Sequence, residues 1–450
     1  MTFQLQQFFN LRKTFRFAFL FICLAALTGV SSFGHEPIVF NENGGWCWFQ
    51  DERAIINNGK LLFGSVTSNL ERTDPGDIVA TSYDFETGDL STAILHKGLQ
   101  RDDHNAPAFL LRPDGRYLAV FTGHNLDRWI RYRISKEPGQ IDEWGTEHGI
   151  STDGRVCYSN VYRLEAEGRT YNFYRSNQRT PAYLISDDDG STWQEGGQLL
   201  RADQPTFWPY VRYTSNGIDE IHFITTDAHP NQNAHNNLYH GFIRDGKIHR
   251  SDGTAVGDLA KGGDSSVSPS DLTLIFDGDP ENIPWTSSIV IDSDGNPHIG
   301  YTVARSGDAG TDSRYRYARW DGEQWLDREV AYAGSRLYPK EQFYTGLITL
   351  HPDDPNQAFI STDADPVTGE PLISETDGER HWEIFVGRSD AQTGEWNWTP
   401  LTRNSTEDNL RPVVASDGEH QALLWMRGTY NTYQNYDCQI VGLVGELESK

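Results

Sequence analysis

Methionine occurs twice and cysteine four times in 450 residues, and 38 lysines and arginines face 64 aspartates and glutamates. Each scarcity narrows the field. With Cys23 inside an N-terminal apolar run, only Cys47, Cys157 and Cys438 remain, an odd number that cannot all pair within one chain. Buried free thiols are therefore expected; one disulfide stays open, with no pair singled out. A formal charge of −26 argues against nucleic acid as a partner. The acidic residues are scattered, which describes a solvated surface. That surface repels anionic ligands at long range, yet at high ionic strength screening shortens to a few Å and local basic residues can prevail. Beyond Val30 no stretch is apolar enough to span a bilayer, and no long stretch shows a helical period.

What is abundant points the other way. There are 13 Trp, 20 Tyr, 22 Phe and 42 Gly, a composition suited to short strands joined by turns. The N-terminus is a separate matter. Arg12, Lys13 and Arg16 precede the apolar run Phe17–Val30, and the small residues Ser31 and Ser32 follow. This is the pattern of a cleaved export signal, so residues 1–34 are set apart, 35–450 are expected to form the folded protein, and the localisation is expected to be secreted or periplasmic.

Length alone suggests two or three domains, but repeated sheets can share one body. Asn58-Gly59, Asp114-Gly115 and Asp294-Gly295 each stand between apolar-rich runs, a hairpin signal. A weak repeat ends in a turn followed by Trp: Trp144, Trp193, Trp325 and Trp396. Unit starts fall near Arg53, Asn105, Tyr158, Phe207, Trp285, Phe343 and Arg411. Their spacing of roughly 50 to 80 residues is the length that four strands and their turns need in one propeller blade. The expectation is an all-β, seven-bladed β-propeller with four antiparallel strands per blade. The Gly/Ser/Asp-rich stretch 251–271 reads as an inserted loop, and a strand near Val39, or the first hairpin, completes the short last unit. Ser186-Asp187-Asp188-Asp189-Gly190-Ser191-Thr192-Trp193 fits the S-x-D-x-G-x-T-W Asp box, a structural turn that speaks to fold and not to activity.

Several polar clusters could carry chemistry. Asp102-Asp103-His104-Asn105 stands just before a strand and Gly123-His124-Asn125 just after the next, so the two histidines flank one hairpin at one end of a blade. Tyr158 and Arg175 are related in the same way one blade later. Trp208-Pro209-Tyr210 opens the fourth unit. His222, His229 and His240 could gather around a metal, although their spacing matches no standard zinc signature. Each of these residues also has a plainer reading as a structural side chain. Aromatics, His and Arg around one cleft suit a sugar polymer, because aromatic faces stack on sugar rings and Arg forks onto carboxylate or sulfate. No Walker loop, zincin motif or G-x-S-x-G elbow is present.

The strings GGWCWFQD (44–51), DDHNAP (102–107), FYR (173–175), TDAHP (226–230), YAGSRLY (332–338), LRPVV (410–414) and WMRGTYNTY (425–433) together resemble the BNR-repeat propellers that include ulvan lyases of polysaccharide lyase families 24 and 25, the second more closely. The resemblance implies β-elimination in ulvan, a sulfated polymer of rhamnose 3-sulfate and uronic acids, acting between the sulfated rhamnose and the uronate. It carries the family's catalytic set onto His104, His124, Tyr158 and Arg175. Substrate contacts then fall to Tyr210 or Tyr239, with Asn105 and Asn125 beside them. The chain departs from the pattern at Trp208, where the family has Arg before Pro-Tyr. No cofactor is required; a structural Zn²⁺ or Ca²⁺ around His222, His229 and His240 is left open, and a monomer is expected. The rivals are a sialidase-like or rhamnosidase-type hydrolase and a non-catalytic sugar-binding propeller. A hydrolase needs two carboxyl groups at a set separation. Asp102 and Asp103 are the nearest candidates, but neighbours on an extended strand point to opposite faces.

Overall fold

A computed structural model describes residues 36–447 apart from 48–49, 52, 70–74, 234, 306–311, 391 and 446. The expected export segment, residues 1–34 with Cys23, lies outside the described residues, as do Trp48 and Phe49 of the first family string. Residues 35–450 form one compact unit.

Seven antiparallel sheets follow one another along the chain as the blades of a propeller. Their first strands are Ala54–Asn57, Ala108–Leu111, Cys157–Leu164, Val211–Ser215, Asn282–Ile291, Ile348–Leu350 and Asp408–Ser416, each close to a unit start expected from the repeat. Except between the third and fourth blades, first strands of adjacent blades pack on one another around the axis. The seventh sheet is completed by Ile38–Asn41, which pairs with Asn435–Val444 through Val39↔Val441 and so ties the two ends of the ring together.

Local chemistry explains the pattern. Asn58 and Gly59 have φ of 49° and 69°, the two positive values that a type I′ hairpin turn requires. Second strands such as Tyr117–Thr122, Ile221–Thr226 and Gln357–Thr362 are buried along their whole length, because neighbouring blades cover both faces of each sheet. The turn-Trp repeat marks the outermost strands: Trp325 and Trp396 begin theirs, Trp193 directly precedes Gln194–Gln198, and Trp144 lies four residues before His148–Ser151. In the Asp box, Gly190 N donates to Ser186 Oγ and Thr192 N to Asp188 Oδ1, both at 2.8 Å. Trp193 then packs edge-on against Tyr132 of the preceding blade.

One expectation needs correction. The fourth sheet has six strands: within the stretch 251–271 Ala255–Asp258 folds and extends the outer edge, and just beyond it Thr273–Phe276 pairs with Leu238–Arg244. The thiols Cys47, Cys157 and Cys438 are buried and unpaired with one another, as expected.

Blades six and seven meet through a cluster that includes Phe359, Ile384, Leu423 and Trp425. Trp425 is fully buried and its indole N–H donates to Asn409 Oδ1 at 2.7 Å. Trp425→Ala is expected to lower the unfolding free energy by about 3–5 kcal/mol. The control Val367→Ala, at a site 70% exposed, should change it by less than about 0.5 kcal/mol. Urea titration of both variants checks this.

Candidate active site

Asp102, in extended backbone, caps a single 3-10 turn, Asp103–Asn105, and accepts the His104 backbone N–H. The turn brings both carboxylates to one imidazole: His104 Nδ1 lies 2.7 Å from Asp102 Oδ1 and 2.8 Å from Asp103 Oδ1. The sequence reading placed these two aspartates on opposite faces of a strand; they are instead in a turn and share one partner. They still cannot act as a hydrolytic pair, because both are fully buried behind the ring. The other oxygen of Asp102 accepts from His124 Nδ1 at 2.9 Å. The imidazoles of His104 and His124 therefore stack, with centroids 3.8 Å apart and planes 12° from parallel.

Tyr158 enters from the next blade. Its φ is 68°, strained for a residue with a side chain, at a register irregularity between Cys157 and Asn160. Its ring lies 5.5 Å from that of His104, and its buried hydroxyl has no hydrogen-bond partner among the described residues. Cys157 pairs across the sheet with Arg175, so the Arg175 guanidinium sits 4.9 Å from the Tyr158 ring centroid. Arg175 also donates to the Tyr210 hydroxyl at 2.9 Å and reaches His124 Nε2 at 3.3 Å. Arginine only donates, so His124 Nε2 accepts and its proton sits on Nδ1, toward Asp102. A crevice between the third and fourth blades is lined by Tyr158, Arg175, Pro181, Pro209 and Tyr210.

The electrostatics sort these groups. Burial opposes charge on His104, but the acidic groups packed on it, Cys47 and Asp102 foremost, push its pKa well above the ordinary value. Burial would raise the Asp102 carboxyl, and the two imidazoles outweigh it and hold the carboxyl below the usual range. Burial drives the Tyr158 phenol far up against the opposing pull of Arg175 and His104, so it stays protonated. His229, packed on Tyr210 and Trp285, is pushed down to about 3 by burial and by Arg175 and is neutral.

His104, His124, Tyr158, Arg175 and Tyr210 thus converge. Other candidates do not. Tyr239 packs with Tyr171, Tyr183 and Tyr213, and its hydroxyl accepts from Asn237; of the two tyrosines left open, Tyr210 is the one at the site. Asn105 is fully buried and holds the Gln100 carbonyl from beneath, so it supports the cleft and does not face it. Asn125 lies in the turn beside His124, with φ of 51° and its N–H on Val156 O. The histidine triplet is a correction. His222 and His240 lie mid-strand in the fourth blade, bonded to each other at 3.1 Å and to Glu220 and Ser251, whereas His229 is on a loop at the cleft. Among the described residues the three are not a ligand set close enough to hold an ion. Among the described residues, two ligand sets are close enough to hold an ion, Asp102/His104/His124 and Cys47/Asp103/His104, and both are the hydrogen-bonded heart of this site.

Sequence reasoning missed the contributions of the seventh blade and of the loop before the sixth. Tyr430 donates to Asp103 Oδ2 at 2.5 Å and Gln434 to Asp102 Oδ2 at 3.0 Å. Tyr433 meets both imidazoles edge-on, and Glu341 lies 3.7 Å from His229. The string WMRGTYNTY was the available signal for Tyr430 and Tyr433.

Comparison with known proteins bears on the fold and the family. An ulvan lyase of Nonlabens ulvanivorans is 26% identical over 343 residues, which cover 63% of this chain and 66% of that protein. Among solved structures, a PL25 ulvan lyase superposes with a TM-score of 0.64 at 14% identity, covering 92% of this chain and 98% of that one. It has also been solved bound to -[GlcA(1-4)Rha3S]- at the same score and 15% identity. The polysaccharide lyase Uly1 superposes at 0.60 with 9% identity over 93% of this chain and 94% of that one. At these identities the structural likeness speaks to the fold. Residues 70–333, more than half of the sequence, match the BNR repeat-containing family, and the chain belongs to that family.

Proposed function

We propose that this protein is a polysaccharide lyase that cleaves ulvan by β-elimination at the bond between 3-sulfated rhamnose and a uronate, as an exported enzyme. The observation that carries the reading is the meeting of two stacked imidazoles, a guanidinium and an unpartnered phenol in one cleft. The carboxylates nearby argue against hydrolysis: Asp102 and Asp103 are sealed behind the imidazoles, which leaves Glu341 at the open side where glycosidases use a pair. A sugar-binding module has no need of a strained tyrosine between two cations.

In this reading Arg175 and the protonated His104 neutralise the uronate carboxylate, which acidifies the C5 proton and stabilises the enolate-like intermediate. Arg175 turns toward the carboxylate and releases His124 Nε2, the neutral imidazole nitrogen, to take the C5 proton. The C4–O4 bond breaks as Tyr158 gives its phenolic proton to O4. The products are an intact rhamnose end and a uronate with a C4–C5 double bond; no water is added and no cofactor takes part. A second reading has one supporting observation. Arg175 and His104 both favour a Tyr158 phenolate, so the phenol could serve as base and then as acid.

Incubation with ulvan should produce ultraviolet absorbance from the conjugated double bond together with unsaturated oligosaccharides by mass. Saturated products without new absorbance would refute the lyase reading. His124→Ala, Tyr158→Phe and Arg175→Ala should each lower kcat by about 10²-fold or more; a His124→Ala enzyme near full activity beside an inactive Tyr158→Phe would assign both proton transfers to the phenol. The charge on His104 sets the alkaline limb. Its pKa is raised, so the imidazolium persists above pH 6.5, and kcat/KM should hold into the alkaline range and fall only as that proton is lost. A profile that already declines near pH 6.5 would contradict this assignment.

A further inference from the structure

Arg179 stands out among the exposed basic residues. It occupies the turn between Arg169–Arg175 and Pro181–Ser186 with φ of 62°, a left-handed conformation unfavourable for a residue with a Cβ. Its N–H closes onto Ser176 O. The strained turn folds the side chain back, so that the guanidinium carbon lies 3.6 Å from the centroid of the Trp208 ring. Other arginines of the same and the next blade pair with carboxylates: Arg163 with Asp189, Arg169 with Asp187, Arg244 with Glu220. Arg179 has no carboxylate partner among the described residues and is exposed.

Its position is specific. It follows Arg175 by four residues in a closed turn, and Trp208 precedes Pro209 and Tyr210, whose hydroxyl holds Arg175. Trp208 is half-buried and packs on the core cluster that contains Tyr158 and Tyr210. The Arg179–Trp208 stack is therefore joined through short stretches of chain to Arg175, Pro181, Pro209 and Tyr210, which line the crevice with Tyr158.

We propose that Arg179, held flat on Trp208, recognises the sulfate ester of the sugar next to the uronate. The proposal rests on the lyase reading above and names how that site selects its polymer. Stacking covers one face of the guanidinium and leaves its N–H edge free, the edge that forks onto two oxygens of a tetrahedral anion. The indole also fixes a side chain that would otherwise lose rotamer freedom on binding. In an alternating polymer of uronate and sulfated rhamnose, the charged group on the sugar adjoining the uronate is the sulfate, so with Arg175 engaged by the carboxylate a second cation one sugar away meets sulfate. A chain of net charge −26 repels a polyanion at a distance and needs such a local cation near its site.

The test compares wild type, Arg179→Ala, Arg179→Lys and Trp208→Ala on ulvan and on chemically desulfated ulvan, following ultraviolet absorbance. Arg179→Ala should raise KM on ulvan about tenfold with kcat within about twofold of wild type. Arg179→Lys should fall between, keeping the charge but losing the fork, and Trp208→Ala should weaken KM in the same direction. On desulfated ulvan, wild type and Arg179→Ala should have the same KM. An unchanged KM for Arg179→Ala on ulvan, or an equal penalty on the desulfated polymer, overturns the proposal. Failure of the lyase reading shows separately, as wild type that produces no absorbance from either polymer. Calorimetric binding of sulfated and desulfated ulvan oligosaccharides to wild type and Arg179→Ala then decides the sulfate contact by the same comparison.

Discussion

One carboxylate holds the candidate site together. Asp102 is fully buried, and its two oxygens receive the Nδ1 atoms of two different imidazoles. This single arrangement orients the imidazoles of His104 and His124, brings their rings into a stack and leaves His124 Nε2 against Arg175. Neither ring could hold that pose alone, because stacked imidazoles repel once both are charged. Asp102 supplies the shared anion, and Arg175 on His124 Nε2 keeps the second ring neutral. Behind this pair, Tyr430 and Gln434 of the seventh blade reach Asp103 and Asp102, so closure of the ring and construction of the site are one event.

The segment that leads into the first blade does comparable work from beneath. Trp46, Cys47, Gln50, Asp51 and Arg53 are all buried. Gln50 donates to the carbonyls of His104 and Ala106 and accepts from Arg411. Asp51 accepts from the Tyr162 hydroxyl and the Tyr213 N–H beside Arg212, and Arg53 donates to Ser159 O and Asn160 Oδ1. One stretch of chain thus binds the second, third, fourth and seventh blades to one another. The strained residues Tyr158, Leu347 and Arg411 stand within or beside the first strands of the third, sixth and seventh blades, where the surrounding ring can enforce a conformation that a free strand would relax. The proposed lyase site, which would orient a uronate and its neighbour, gains from such rigidity, since misplacement by an ångström is costly in rate.

The blade pattern was legible in the sequence because its signals are local: a turn followed by Trp marks an outer strand, and Asn-Gly or Asp-Gly marks a hairpin. The convergence of His104, His124, Tyr158 and Arg175 was legible in part because they stand at matching strand ends of adjacent blades. The supporting shell was not. Tyr430 lies 327 residues from Asp103 and Gln434 lies 332 from Asp102, and no spacing rule joins them. The choice between Tyr210 and Tyr239 turned on which way a side chain leaves the fourth blade, which neighbouring elements decide. The histidine triplet misled because two members belong to a sheet interior and the third to a loop, a distinction that proximity in sequence hides. The Asp-Asp reading erred on local geometry, taking an extended strand where Asp102 caps a turn.

The substrate's charge follows from what the site leaves unbalanced. Arg175 is nearly buried, and its polar partners among the described residues are a phenol and an imidazole, with Nε unsatisfied. A buried cation held by neutral groups is costly unless an anion completes it. Beside it, His104 is kept positive by Cys47 and by the buried Asp102. Both positive groups stand beside the Tyr158 ring, in a chain of net charge −26. A neutral sugar would leave that imbalance in place, whereas in the proposed reaction a uronate carboxylate would remove it, and most fully as charge builds on the carboxylate during loss of the C5 proton. The same field that selects the ground state thus favours the transition state more strongly, which is the condition for binding energy to appear as rate.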